Sequence, residues 1–335
     1  MKKDIMVSIN CLSYNHIHYI SDAIESFLSQ KTTFNFEILI HDDASTDGTQ
    51  KIIEEYEKKY PQIVKPIYQK TNQQKLGVKK IDYKYNFLRS DGKYIALCEG
   101  DDFWTSPYKL QKQFDYMENN NDCSLCCHAT YIIKENKKCI GKKQISRQNC
   151  KFNLEDLFLR QKLNFSTSSI FYRKRFFSEL PYFYYDCPVG DFPIKLFLLT
   201  NGYGYYMNDL MSVYRENVNG SWTSRIAKKP KKYAEHNLSM IKFLSDFDRY
   251  TNYRYSESIK AEVKKRKNKI INIQMLHKEI DLLKINRREE RKKLKIGKRI
   301  KLYFQCYFSF IFNLLKKIKL LINNPICLKK IEPSK

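Results

Sequence analysis

The sequence predicts an α/β fold in which helices flank a Rossmann-like sheet. Short apolar runs alternate with amphipathic stretches in the order βαβαβ from Val7 onward, as expected where crossover helices join parallel strands. Two of these apolar runs end in clusters of carboxylates. Hydrophobic residues make up 42% and aromatic residues 14% of the 335 positions, so the chain can bury a sizeable core.

The individual elements follow from the spacing of apolar residues. Residues 7–12, 36–40 and 64–68 are predicted strands, and residues 123–133 and 166–173 are further β segments. A helix that packs on the sheet is predicted from the spacing of Ile20, Ala23, Ile24, Phe27 and Leu28. A later helix is predicted from Leu110, Phe114 and Met117, with Lys109 and Lys112 on its solvated face.

The most informative stretch is the apolar run 94–98 and the acids that follow it, Glu99, Asp101 and Asp102. The run is typical of a central strand covered on both faces. Carboxylates crowded at its end are unfavourable unless a cation or a hydrogen-bonding ligand neutralises them. Mg²⁺ and Mn²⁺ prefer carboxylate oxygens and complete a sparse site with substrate phosphates, which indicates a nucleoside diphosphate substrate. The alternative is an acidic surface turn in which Asp102 caps the next helix.

A second carboxylate pair, Asp42 and Asp43, follows the strand at 36–40. Ligands of open α/β sheets bind beyond the carboxyl ends of the strands, so the two acid-tipped strands are expected to meet at one site. The sequence lacks the Gly-rich phosphate-binding fingerprint of dehydrogenases, which disfavours a nicotinamide enzyme.

Two motifs together resemble glycosyltransferase family 2, whose members have the GT-A fold. They are Asp-Asp-Ala-Ser-Thr-Asp-Gly-Thr, beginning at Asp42, and Glu-Gly-Asp-Asp-Phe-Trp, beginning at Glu99. The resemblance extends from Val7 to about Ser224. The combination of the two motifs is far more specific than either motif alone.

This resemblance implies roles for several residues. Asp43 would bind the nucleotide base, and Asp101 and Asp102 would correspond to the DXD motif, with Asp102 as the direct ligand of Mn²⁺ or Mg²⁺. The loop after the first strand would contact the nucleoside through Leu12, Ser13 and Tyr14. For that loop, an ordinary βα turn is the alternative.

The same resemblance implies that three later residues belong to the active site. Asp191 precedes an apolar helix with Pro193 in its first turn; it is either an N-cap or, as the resemblance implies, the general base. Related enzymes have a Tyr-Arg pair and a later Ser-Trp loop over the donor. Arg215 would then neutralise the diphosphate and Trp222 would stack on sugar or acceptor, although both can equally be structural.

The positive charge of the chain is concentrated in its last third. Residues 1–227 hold 31 Lys and Arg against 26 Asp and Glu, whereas residues 228–335 hold 30 against 10. We predict a GT-A domain over 1–227 and a basic helical region over 228–335. Its aromatic stretch 300–315 is short and interrupted for a transmembrane helix and suits an interfacial helix on anionic lipid. A homo-oligomer contact is one alternative; nucleic acid binding is another, but no recognised nucleic-acid fold is present.

No apolar signal segment follows Met1, so we expect a cytoplasmic protein, peripheral at the inner face of the membrane. The predicted activity is inverting transfer of a sugar from a nucleotide-sugar donor to a hydroxyl of a glycan or lipid-linked glycan. Cell-surface polysaccharide synthesis, as of capsule, O-antigen or lipooligosaccharide, is the expected setting. The alternatives are a nucleotidyltransferase and a non-catalytic membrane-associated protein that binds nucleotide or glycan.

Overall fold

The computed structural model describes residues 4–134, 139–159, 164–177, 179–216 and 230–284. The strands are β1 (Ile5–Ser13), β2 (Asn35–Asp42), β3 (Val64–Tyr68), β4 (Tyr94–Leu97), β5 (Phe103–Trp104), β6 (Cys123–Ile133), β7 (Cys139–Lys143), β8 (Cys150–Phe152), β9 (Phe171–Arg173) and β10 (Tyr203–Arg215). The helices are α1 (Ile20–Leu28), α2 (Thr49–Lys59), α3 (Lys109–Glu118), α4 (Leu154–Leu159), α5 (Asp191–Thr200), α6 (Pro230–Tyr250) and α7 (Ser256–Lys284).

The described strands form one mixed sheet in the order β3-β2-β1-β4-β9-β6-β10-β5, with β7 paired to β6 and β8 to β10. Strands β3, β2, β1 and β4 run parallel to one another. Strand β9 is antiparallel to both β4 and β6, and β10 is parallel to β6. The predicted α/β class, a Rossmann-like sheet flanked by helices, is confirmed.

Strand β4 lies between two hydrophobic clusters. Since side chains alternate along a strand, Tyr94, Ala96 and Cys98 join one cluster with α1, α2 and α3. Ile95 and Leu97 join the other cluster with α4, α5, α6 and α7. A strand buried on both faces needs a continuous apolar sequence, which is what residues 94–98 supply.

One predicted β segment is shorter than expected. Of residues 166–173, only Phe171–Arg173 is a strand, and Thr167–Ser169 is a 3₁₀ turn. Ser169 donates to the carbonyl oxygen of Ser166 from its backbone N–H at 3.1 Å and from its Oγ at 2.7 Å. Hydroxyl side chains of this kind offer the backbone an alternative to ladder hydrogen bonds.

The prediction that Lys109 lies on a solvated face of α3 is wrong. Its side chain is fully buried, and its Nζ lies 3.9 Å from the ring centroid of Trp104. Helix α3 begins at Lys109, which shares its buried face with Leu110, Gln113 and Met117. Lys112 is exposed, as predicted. The charge pattern therefore predicted the position of Lys112 correctly and that of Lys109 wrongly.

Asn86 links the segment after β3 to the sheet through hydrogen bonds. It is fully buried, and its Nδ2 lies 2.7 Å from Asn10 Oδ1 and 3.1 Å from each of the carbonyl oxygens of Cys11 and Leu39. These acceptors belong to β1 and β2. The contacts therefore hold this segment beside the carboxyl ends of the two strands.

Helices α6 and α7 pack into the same core as the sheet. The rings of Phe243 and Phe183 lie 5.9 Å apart, and those of Phe247 and Phe197 lie 5.6 Å apart. A cavity of about 600 Å³ opens between α6 and α7, away from the acid-tipped strands.

No helix in the described part of the chain is long and apolar enough to cross a membrane. The stretch 300–315 lies outside the described residues, and the domain boundary at residue 227 stays a prediction.

Candidate active site

The acid-tipped strands β2 and β4 end on either side of β1, at the same edge of the sheet, as the sequence predicted. Strand β1 pairs in parallel with both β2 and β4, so that Ser13 lies opposite Asp42 and Asn10 lies opposite Leu97. The loops that leave these three strands therefore meet at one edge of the sheet, where ligands of open α/β folds bind.

At the end of β2, Asp42 closes a tight turn. Its Oδ1 accepts hydrogen bonds from the backbone N–H of Ser45 at 2.9 Å and from Gln50 Nε2 at 2.7 Å. Within this turn Ala44 has a φ of 62°, a left-handed conformation that costs a residue with a Cβ about 1–2 kcal/mol. Asp42 thus shapes the backbone around Asp43.

Asp43, the predicted base-binding residue, is buried and faces the segment after β3. Its Oδ1 accepts the backbone N–H of Gln73 at 2.6 Å, and its Oδ2 accepts that of Gln74 at 3.2 Å. Its own N–H donates to the carbonyl oxygen of Ser13 at 2.9 Å. Because a carboxylate has about four acceptor sites, Asp43 keeps capacity for a ligand donor.

The three predicted nucleoside contacts, Leu12, Ser13 and Tyr14, begin the loop after β1. Ser13 is buried, and its Oγ has no hydrogen-bond partner among the described residues. A buried hydroxyl without a partner costs about 1–3 kcal/mol, which a ligand can recover. Lys75 Nζ lies 5.9 Å from the ring centroid of Tyr14, and the carbonyl oxygen of Leu12 accepts the N–H of Gly100 at 2.9 Å.

The turn after β4 requires glycine at position 100. A Cβ on Gly100 would lie 2.9 Å from Nδ1 of His16, closer than real contacts allow. The N–H of Asp102 donates to the carbonyl oxygen of Glu99 at 3.0 Å and closes the turn. Glu99, Asp101 and Asp102 are therefore held together against the loop that leads into α1.

Asp102 is 3% exposed, and its Oδ1 accepts the backbone N–H of Arg215 at 3.0 Å. Burial and the neighbouring Asp101 raise the pKa of Asp102 well above its usual range, although the Arg215 N–H acts in the opposite direction. Burial, Asp101 and Asp102 likewise raise the pKa of Glu99. The Glu99 side chain is exposed, so a ligand can reach it.

Arg215, predicted to neutralise a diphosphate, is 4% exposed and makes its contacts inside the protein. Its guanidinium donates to the carbonyl oxygen of Asp101 at 2.6 Å and pairs with Asp22 of α1. It also lies over the rings of Phe103 and Tyr19, at 4.7 and 5.0 Å from their centroids. These contacts hold the acidic turn against α1, and direct contact with a donor stays a prediction.

Asp191, the predicted general base, is the first residue of α5. The N-cap is Gly190, and no side-chain cap bond is formed there; instead, Asp191 Oδ2 accepts a hydrogen bond from Lys195 Nζ at 2.6 Å. Burial raises the pKa of Asp191, but Lys195 and the charge of Lys143 outweigh burial and hold the pKa below its usual range. Asp191 is therefore ionised at neutral pH and can accept a proton.

Three further side chains belong to this acidic site and were not predicted: Asp82, Lys143 and Tyr214. Burial raises the pKa of Asp82, and the charge of Asp191 contributes to the increase. Burial raises the pKa of Tyr214 to about 12, and Asp102 is the carboxylate that contributes most to the increase. No motif marks these positions, because only the packing of β7 and β10 beside β6 brings two of them to the site.

The residues present fit a divalent cation. Like charges raise the pKa values of Glu99 and Asp102, and a cation bound between them would remove that repulsion. Within the described residues, no group of three or more His, Cys, Asp or Glu side chains could hold a metal ion. A cation here would take its remaining ligands from water and phosphate, as Mg²⁺ and Mn²⁺ commonly do.

The structure thus brings the loop after β1 to the same edge of the sheet as Asp43, Asp101 and Asp102. Asp191 lies near enough to this group to interact with it electrostatically, since its charge contributes to the raised pKa of Glu99. Trp222 lies outside the described residues.

Comparisons with known proteins show the family to which this chain is related. The family model described as Glycosyl transferase family 2 matches residues 8–180. An uncharacterized protein of Mycobacterium tuberculosis is 33% identical over 262 residues, which cover 77% of this chain and 72% of that protein. The Escherichia coli UDP-Glc:alpha-D-GlcNAc-diphosphoundecaprenol beta-1,3-glucosyltransferase WfgD is 33% identical over 139 residues, covering 42% of this chain and 51% of WfgD.

Among solved structures, mannosyltransferase PcManGT from Pyrobaculum calidifontis, in complex with GDP-Man and Mn²⁺, is similar with a TM-score of 0.52. The match has 13% identity and covers 93% of this chain and 87% of that chain, and at this identity it supports the fold alone. Because the family model matches more than half of the chain, the protein belongs to glycosyltransferase family 2 and is a transferase with the GT-A fold.

Proposed function

We propose that this enzyme transfers a sugar, with inversion and with the help of a divalent cation, from a nucleotide-sugar donor to an acceptor hydroxyl. The observation that carries the proposal is the presence of two kinds of carboxylate that interact electrostatically with one another. Burial raises the pKa values of Asp102 and Glu99, and neighbouring carboxylates raise them further, whereas Lys195 holds the pKa of Asp191 below its usual range, so that Asp191 is ionised. Environments that push carboxyl pKa values apart are the usual basis for a division of roles.

The nucleoside of the donor is proposed to bind between the loops after β1 and β2. Ser13 offers a buried hydroxyl without a partner, and Asp43 offers remaining acceptor capacity next to it. Leu12 and Tyr14 flank Ser13, so the ring of Tyr14 can cover one face of the base. A base with an N–H group matches the acceptor character of Asp43.

The diphosphate of the donor is proposed to lie against the acidic turn, with Asp102 as metal ligand and Asp101 beside it. When bound, Mn²⁺ or Mg²⁺ would supply positive charge where the leaving group becomes negative. Arg215 acts there as a positioning residue, because its N–H orients Asp102 and its guanidinium holds the backbone of Asp101. This arrangement fits a metal that borrows phosphate ligands from its substrate.

Asp191 is proposed to act as the general base. The acceptor oxygen attacks the anomeric carbon from the face opposite the diphosphate, and Asp191 takes the hydroxyl proton. The bond from the anomeric carbon to the β-phosphate oxygen breaks, and its electron pair stays on that oxygen. General-base assistance of this kind contributes about 10²- to 10⁴-fold to the rate. The ion pair with Lys195 fixes the carboxylate at the start of α5.

The acceptor is proposed to be a glycan or lipid-linked glycan of a cell-surface polysaccharide. The similarity to WfgD, whose name specifies an acceptor on diphosphoundecaprenol, supports this class. A lipid-linked acceptor would place the enzyme at the cytoplasmic face of the membrane. The excess of positive charge in residues 228–335 would favour an anionic surface there.

A thermal-shift screen of nucleoside diphosphates and nucleotide sugars, each with and without Mn²⁺, tests this proposal. Binding to the native state raises the melting temperature by mass action. We expect one donor to give a Mn²⁺-dependent shift in the wild type and in Asp122→Asn, an exposed control, but not in Asp102→Asn. The absence of any nucleotide-dependent shift in folded wild-type protein would contradict the proposal and favour a non-catalytic scaffold.

A further inference from the structure

Lys143 occupies an unusual place in the acidic site. It is the last residue of β7, which pairs antiparallel with β6 and sets Lys143 opposite Thr130. Strand β10 lies parallel to β6 on its other side and carries Tyr214, which pairs with Ile132. Lys143 Nζ crosses to Tyr214 and lies 3.7 Å from its ring centroid.

Tyr214 connects this lysine to the acidic turn. Its neighbour Arg215 donates its backbone N–H to Asp102, so the ring beneath Lys143 belongs to the residue adjacent to that contact. Along β10, Val213 and Arg215 are buried, whereas Tyr214 is half-buried. The alternation of side chains in a strand therefore places the Tyr214 ring on the face of β10 opposite the Arg215 side chain, and the charge of Asp102 contributes to the raised pKa of Tyr214.

The ammonium group of Lys143 differs from three other cations near the site. Lys195 is paired with Asp191, Lys80 donates to the carbonyl oxygen of Val189 at 2.6 Å, and Arg215 is paired with Asp22. Lys143 is half-buried but has no hydrogen-bond or ion-pair partner among the described residues. A cation with an aromatic ring on one side and no anion at contact distance is available to a ligand.

The surrounding charges favour a ligand at this position. Burial lowers the pKa of Lys143, while Asp102, Asp191 and Glu216 raise it. Lys143 therefore interacts electrostatically with the carboxylate proposed to hold the metal and with the carboxylate proposed to act as base. A donor diphosphate must lie next to both of these groups if the proposed function is right.

We propose that Lys143 binds the diphosphate of the donor and supports the departing nucleoside diphosphate. This inference rests on the proposed function. In it, the ammonium group of Lys143 supplies a second positive charge beside that of the cation. A point charge on a flexible stem is well suited to follow phosphate oxygens as the bond to the sugar breaks. The contact stabilises negative charge that develops in the transition state.

The experiment compares Lys143→Met with Lys142→Met, a matched control in which the exposed neighbour on the same strand is changed. Isothermal titration with Mn²⁺ measures the affinities for the nucleoside diphosphate of the active donor and for the corresponding monophosphate. We expect Lys143→Met to weaken diphosphate binding about 10- to 100-fold, the range for a lost charge-assisted hydrogen bond. Monophosphate binding should change less than about twofold, since its single phosphate is not expected to reach Lys143.

Turnover adds a second readout. Lys143→Met should lower kcat/KM for the donor, and Lys143→Arg should recover part of the loss because it restores the charge. Equal losses for diphosphate and monophosphate, or unchanged diphosphate affinity with only the acceptor KM raised, would overturn the assignment. If the wild type binds no nucleotide, the proposed function fails and this inference fails with it. If the wild type and Lys143→Met bind the nucleoside diphosphate equally well, the role of Lys143 is overturned and the proposed function is not.

Discussion

The backbone N–H of Arg215 donates a hydrogen bond to Oδ1 of Asp102 at 3.0 Å. This contact joins the end of β10 to the turn after β4, 113 residues earlier in the chain. The guanidinium of the same arginine reaches the carbonyl oxygen of Asp101 and the carboxylate of Asp22. One buried side chain thus fixes the acidic turn between a strand and α1.

We expect Arg215→Met to destabilise the protein by about 3–5 kcal/mol, because it leaves Asp22 without its buried partner. Arg215→Lys should recover little, since an ammonium group cannot make the same set of directed contacts. Urea unfolding measures both changes. Arg147→Met, which alters an exposed arginine, should lie within about 0.5 kcal/mol of the wild type. Wild-type stability in Arg215→Met would contradict this role.

Asp191→Asn should lower kcat by about 10²- to 10⁴-fold, because the amide cannot accept the proton of the attacking hydroxyl. Donor affinity should stay within about twofold, since Asp191 is not expected to bind the nucleotide. Steady-state kinetics and titration with the nucleoside diphosphate separate the two effects. Asp186→Asn changes an exposed carboxylate in a surface pair and serves as control. A fall in donor affinity with unchanged kcat would contradict the role of base.

Asp102→Asn should stabilise the metal-free protein at neutral and alkaline pH. Burial and Asp101 raise the folded-state pKa of Asp102 above the value of 3.8 in the unfolded chain, so its charged form opposes folding above that raised pKa. As pH falls through the raised pKa towards 3.8, the wild type takes up the proton and the advantage of the variant disappears. Melting temperatures of both proteins across this range test the sign.

Saturating Mn²⁺ should reverse this difference at neutral pH, because the cation stabilises the ionised wild type and has lost its ligand in the variant. A stability difference that is the same at every pH, with and without Mn²⁺, would contradict the assignment of Asp102.

Lys109→Met should also stabilise the protein, over a different pH window. Burial lowers the pKa of Lys109 from 10.5 to about 7, so between these values the unfolded chain binds a proton that the folded protein does not. Wild-type stability therefore rises with pH over this window. The variant should be more stable by up to about 5 kcal/mol near pH 7, with the difference vanishing towards pH 10.5.

Chemical unfolding at several pH values measures the effect of Lys109→Met. Lys112→Met, on the exposed side of α3, should show no such trend. A stability difference that does not change between pH 7 and 10.5 would mean that Lys109 is charged and satisfied in the folded protein.

Phe247→Ala should cost about 3–5 kcal/mol, the range for a large aromatic side chain removed from a core. Phe247 is fully buried in the cluster that contains β4 and α5, so the effect should appear in the unfolding of the whole catalytic region. Leu238→Ala, at a 57% exposed position of the same helix, is the matched control. A separate unfolding transition for α6 would contradict a shared core.

The sequence predicted the parallel half of the sheet because each of those strands carries its own signal. Residues 94–98 are apolar throughout since both faces of β4 are buried, and the acids at 42–43 and 99–102 follow strands whose order the βαβ rule restricts. The bounds of β3 and β6 agree with the predicted ranges. Local pattern and tertiary structure therefore coincide in this part of the chain.

The rest of the sheet and the unpredicted site residues depend on contacts between segments far apart in the sequence, which a local sequence pattern does not reveal. Strand β10 pairs with β6, β5 and β8, and only this pairing buries Arg215 and brings Tyr214 to Lys143. Lys109 was predicted to be exposed because it is charged. It is the first residue of α3, and its ammonium group is buried over the ring of Trp104. Tertiary packing decided these positions.

The proposed role of Asp102 is to support a metal-dependent transfer that releases a nucleoside diphosphate. The most direct test is to incubate the enzyme with the donor that binds, with Mn²⁺ or EDTA, and to identify the nucleotide product. We expect nucleoside diphosphate from the wild type with Mn²⁺, and at least about 100-fold less with EDTA or from Asp102→Asn. Release of inorganic diphosphate, or an undiminished rate in Asp102→Asn, would contradict the claim.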